Sequence, residues 1–108
     1  MVNLETNEGL VVGYYGILLI DNTVVGFPAE SIINPNQTGR IRKIFGVIED
    51  GQIRFTIDGV TSPTTLVGLP LDPGLRITLF DYEIRRFRAI RTGIISGNLY
   101  YHVWYQGV

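Results

Sequence analysis

"NLYYHVWYQ", residues 98–106, reads as one extended segment with two apolar faces. At a period of two, Leu99, Tyr101, Val103 and Tyr105 point one way, and Tyr100, His102 and Trp104 point the other. A strand that is apolar on both faces is ordinarily central and covered on both sides. In a chain of 108 residues the sources of cover are few. They are a second sheet, the N-terminal segment or a neighbouring subunit.

The chain upstream is written in the same style. Val, Ile, Tyr, Phe and Thr recur and 13 glycines punctuate them, the pattern of short strands between turns. Strands are predicted at Val11–Ile20, Arg42–Glu49, Gln52–Ile57, Leu75–Phe80, Arg86–Thr92 and Asn98–Tyr105. "EDGQ" (49–52) signals a hairpin, because Asp-Gly suits a type I′ turn. "DPG" (72–74) and "SGN" (96–98) are further turns. Only "FDYEIRRFRAIR" (80–91) has room for helix, and it reads as a short turn at Asp81–Ile84 leading into a strand. The fold class is therefore all-β: a small antiparallel sandwich or barrel-like domain.

Two connections stand out. "FPAESIINPNQTG" (27–39) is irregular, and it divides the chain into an N-terminal arm with one strand (1–39) and a compact body (40–108). The link from Asp58 to Gly74 is rich in Gly, Pro, Thr and Ser. Pro63 and Pro70 are expected to forbid ladder pairing along it, so that it crosses from one sheet to the other as an ordered surface.

Charge divides at the same place. Residues 1–39 carry Glu5, Glu8, Asp21 and Glu30 with no Lys or Arg, whereas residues 40–108 carry all nine cations and six acids. Such a split could steer one chain's arm to another chain's body. The net charge of −1 gives no general attraction to nucleic acid or an anionic membrane. The longest apolar run, Leu10–Ile20, is far shorter than the roughly 20 residues of a spanning helix. The acidic N-terminus does not read as a secretory signal. With no cysteine, disulfides, thiolate metal sites and a Cys nucleophile are excluded.

Residues for chemistry are scarce. His102 is the sole histidine, too few for a metal set without Cys partners, and no G-x-S-x-G elbow accompanies it. The acid pairs Glu49–Asp50 and Asp81–Glu83 sit beside turns, where exposed carboxylates are ordinary. No enzyme activity, cofactor or metal is expected. "RRFRAIR" (85–91) is the densest basic patch. The chain uses eight Arg and one Lys, a ratio that suits protein interfaces, where the planar guanidinium pairs with carboxylates. Nucleic acid is the less favoured partner. A carbohydrate-binding module is a second class of function, with Tyr14, Tyr15, Tyr100, Trp104 and Tyr105 as its stacking residues. The split of the last strand's aromatics between two faces weakens it.

From about Arg40 to Gln106 the chain resembles small virion-associated proteins of tailed bacteriophages and prophages. The residues that carry the resemblance are "GVIEDGQIRFTIDG" (46–59), "SPTTLVGLPLDPGLRITL" (62–79), "FRAIR" (87–91) and the closing "LYYHVWY" (99–105). The resemblance implies a β-sandwich virion component of the decoration, cement or head-fibre type. It would be assembled in the host cytoplasm and act through contacts with itself, the major capsid protein or other virion proteins. A homotrimer is the favoured state, since a capsid three-fold would match it. The candidate interface residues are Val11, Tyr14 and Tyr15 on the first strand, Leu66 and Leu69 on the link, and Arg85, Arg86, Arg88 and Arg91 in the basic patch.

Overall fold

The computed structural model describes residues 10–28 and 41–106. Seven strands and one short helix follow in the order β1 (Leu10–Ile20), β2 (Ile41–Asp50), β3 (Ile53–Thr56), β4 (Leu69–Leu71), β5 (Arg76–Phe80), α1 (Asp81–Arg86), β6 (Arg88–Arg91) and β7 (Gly97–Gln106). They form two antiparallel sheets, β1-β7-β2-β5 and β4-β3-β6. The all-β class read from the sequence is the class of the fold.

One core lies between the sheets. The larger sheet contributes Leu18, Ile20, Ile44, Ile48, Leu79, Leu99, Tyr101, Val103 and Tyr105; the smaller contributes Ile53, Phe55, Leu71 and Ala89. Phe27, Ile84 and Phe87, from outside the strands, complete it. Phe87 sits between Phe27 and Phe55, with ring centroids 4.9 and 5.7 Å away. β7 is the second strand of its sheet, and its inward set is the predicted one, Leu99, Tyr101, Val103 and Tyr105. Tyr101 faces Gly16 on β1 and Gly46 on β2. Its ring lies inward, where it meets Phe27 edge to face at 5.0 Å.

The predicted division at residue 40 does not divide the fold. β1 pairs with β7 along Leu10–Ile20. Leu18, Ile20 and Phe27 are core residues, and Val25 bridges Ala89 of β6 through both backbone hydrogen bonds. The physical reason is the cover that β7 requires on its flank: the most apolar segment of the chain supplies it. The charge split has an internal use as well. Asp21, an acid of the N-terminal segment, receives Arg91 and the Ser96 hydroxyl.

Three local expectations change. Glu49–Gln52 is not a hairpin turn, because β2 and β3 lie in different sheets. Asp50 takes the positive φ of 74°, and Gly51 is there for space: a Cβ would stand 2.2 Å from the Ile95 carbonyl oxygen. Pro70 does enter a ladder, opposite Arg54, because β4 is an edge strand and needs no donor on its outer side. The turn at Asp81 is a six-residue helix, α1, whose first turn is closed by the Phe80 amide donating to Glu83 Oε1 at 2.9 Å.

The link crosses between sheets as expected, at its second half. Arg54 on β3 holds the first half, donating to the carbonyls of Gly68 (2.7 Å) and Thr65 (3.1 Å). The Asp72–Gly74 turn, with Gly74 at φ 91°, then carries the chain to β5 and donates from Gly74 N to Ile48 O at 2.7 Å.

Candidate functional site

The outer faces of the two sheets differ. On the smaller sheet, Arg54, Thr56 and Arg88 alternate with the buried Ile53, Phe55 and Ala89. That is the ordinary pattern of a sheet with one face to solvent. On the larger sheet the outer face is apolar. Its cross-strand ranks read Tyr15–His102–Phe45–Thr78, then Ile17–Tyr100–Val47–Arg76, then Leu19–Asn98–Glu49. Trp104 and Lys43 form the rank above.

Four of these side chains are open, whereas Trp104 and Lys43 are buried. Tyr15 is 68%, Ile17 59%, Leu19 55% and Tyr100 43% exposed. Tyr15, Ile17 and Tyr100 border an open recess of about 400 Å³ that also involves Phe45, Val47 and His102. The geometry is that of an ordered platform. Tyr15 meets His102 edge to face at 4.2 Å, His102 lies 5.6 Å from Trp104, and Lys43 Nζ stands 5.0 Å over the Trp104 ring. Trp104 is itself only 8% exposed.

β1 adds a second open feature. It is the terminal strand of its sheet, so one side of its backbone is unpaired among the described residues. An exposed edge carrying Tyr15, Ile17 and Leu19 is the kind of edge that a partner covers.

The structure gathers only part of the predicted interface. Tyr15 lies on the outer face. Val11 and Tyr14 pair with Tyr105 and Val103 through the backbone, and their side chains lie outside the described residues. Leu66 and Leu69 are exposed on the link, on the side of the other sheet. The four arginines do not form one patch. Arg91 is committed to Asp21, and Arg88 Nη1 donates to the carbonyls of Phe87 (2.7 Å) and Arg85 (3.1 Å). Arg86 stacks over Tyr82 at 5.6 Å and borders a recess with Gly59–Ser62, whereas Arg85 borders another with Ile41 and Asp81. Ile17, Leu19, Phe45 and Val47 were the residues that the sequence reading missed. Their signal was the alternation of β1 and β2, read for its inner set and not for its outer one.

The chemistry elsewhere is modest. Among the described residues Asp58 is the one group with a marked shift: the Thr61 hydroxyl, then the Val60 and Thr61 amides, lower its pKa from 3.8 to about 2. That is a carboxylate closing a loop. Among the described residues no three His, Cys, Asp or Glu gather as a metal site would require, and no helix is long and apolar enough to cross a membrane. A sugar-stacking platform would need open flat rings, and Tyr105 is in the core while Trp104 is nearly covered.

A scan against protein-family models and searches of curated proteins and of solved structures each return no match.

Proposed function

We propose that the protein is a non-enzymatic structural component of a tailed-phage virion, of the capsid decoration or cement type. It acts by burying surface between its own copies and against neighbouring capsid subunits. The observation that carries the binding mode is the aromatic and aliphatic outer face of the β1-β7-β2-β5 sheet, whose Tyr15, Ile17, Leu19 and Tyr100 stay exposed among the described residues. Contiguous exposed apolar patches beyond a few hundred Å² mark interaction sites in soluble proteins. The virion setting rests on the sequence resemblance over Arg40–Gln106.

In this reading each contact is modest and a lattice multiplies it. A repeated array of weak attachments holds a subunit far more tightly than any single one. The protein is a homo-oligomer, with a trimer favoured for a capsid three-fold, and its partner is the major capsid protein. A head-fibre, neck or tail position is the second reading within the same class.

Mass spectrometry of particles purified from a lysate that expresses the chain tests this. A decoration protein is present in a fixed ratio to the major capsid protein, at a comparable copy number. A few copies per particle would favour the fibre, neck or tail position. Absence from purified particles overturns the virion reading.

A further inference from the structure

We infer that the outer face of the β1-β7-β2-β5 sheet is closed by another copy of the same chain. This deepens the preceding reading by naming the occupant of its site, and its test separates the two.

Composition points to a copy. Interfaces between separately stable partners are about as apolar as any protein surface, whereas those of homo-oligomers are more apolar and lose charge at their centre. The two middle ranks of this face hold Tyr15, His102, Phe45, Ile17, Tyr100 and Val47. Charge enters only at the margins, with Lys43 at one end, Glu49 at the other and Arg76 on β5 at the side. A face that met only a polar capsid surface would have no reason to keep this centre free of charge.

Area agrees. Strands of 11, 10, 10 and 5 residues, at ~3.4 Å per residue and ~4.8 Å between strands, give a face of roughly 500–600 Å². Two such faces bury about 1,000–1,200 Å² together, at the lower edge of stable assemblies. The free edge of β1 borders the same face, so one copy can cover both features. This size predicts assembly that depends on concentration over the micromolar range.

The test is light scattering on the full chain from about 1 to 200 µM, with Ile17→Lys and Leu19→Lys on the face and Leu66→Lys on the link. Lysine at an exposed edge position is tolerated by sheets, and circular dichroism confirms that each variant keeps its strand signal. The expected result is a mass at a whole multiple of 12.1 kDa for the wild type and Leu66→Lys, and 12.1 kDa for Ile17→Lys and Leu19→Lys. A wild type at 12.1 kDa throughout overturns the inference. So does an oligomer that survives both face variants while Leu66→Lys dissolves it. Co-sedimentation with purified particles distinguishes the readings. An oligomer dissolved by Ile17→Lys that never binds particles supports the inference and overturns the virion role. A monomer that binds particles and loses them on Ile17→Lys gives the face to the capsid, overturning the inference and supporting the role.

Discussion

Tyr15 and His102 stand on adjacent strands, ring centroids 4.2 Å apart at an interplanar angle of 68°, in the middle of a sheet face that nothing in the described chain covers. Phe45 from β2 and Trp104 from β7 are the other rings around His102, and Lys43 is the cation beyond Trp104.

Removal of residues 1–39 is expected to abolish folding. It takes Leu18, Ile20 and Phe27 from the core and strips β7 of a neighbour. Burial of each such side chain stabilises by about 1.5–3 kcal/mol. The three together compare with the roughly 5–15 kcal/mol of a whole domain. A truncated chain with a cooperative thermal transition would restore the separation of arm and body.

This is where the sequence was hardest to read. The alternation in Asn98–Gln106 was enough to assign each residue of β7 to its face. Alternation does not say which apolar segment lies alongside, and the irregular stretch after Phe27, with the charge change near it, suggested an arm. The pairing of Asp21 with Arg91 depends on the β1–β7 register and is invisible in a linear chain. The Arg patch dispersed because the fold pairs Arg91 with Asp21 and sets Arg85 beside a different recess from the one that Arg86 and Arg88 share. β4 was missed because Pro70 argues against a strand unless its edge position is known.

Gly51 and Gly93 separate space from flexibility. A Cβ at Gly51 would meet the Ile95 carbonyl oxygen at 2.2 Å, whereas one at Gly93 meets nothing within 4 Å. Gly51→Ala is expected to cost at least about 2 kcal/mol, because backbone must move. Gly93→Ala should fall within about 0.5 kcal/mol of wild type. Urea denaturation of both compares them, and equal midpoints would contradict the close crossing between the β2–β3 and β6–β7 connections.

Asp58 gives a dependence on pH that is confined to its loop. Its folded pKa is depressed, from 3.8 to about 2. The ordering it contributes is present above its unfolded value and is lost as pH falls through about 2. The amide signals of Val60 and Thr61 should titrate with a midpoint near 2. Asp58→Asn should remove that titration. A midpoint at the ordinary 3.8 would show that the Thr61 hydroxyl does not hold the carboxylate.

The closure of the outer face is tested most directly by hydroxyl-radical footprinting, with Tyr82 on α1 as the internal reference. Within one chain Tyr15 and Tyr82 are almost equally open, 68% and 71% exposed. In the protein at about 200 µM, the upper end of the concentrations at which an interface of this area assembles, Tyr15 and Tyr100 should be protected and Tyr82 should stay reactive. On dilution to about 1 µM the three should converge on the reactivity that their exposure in a single chain dictates. Tyr15 modified as fast as Tyr82 at every concentration would contradict the account.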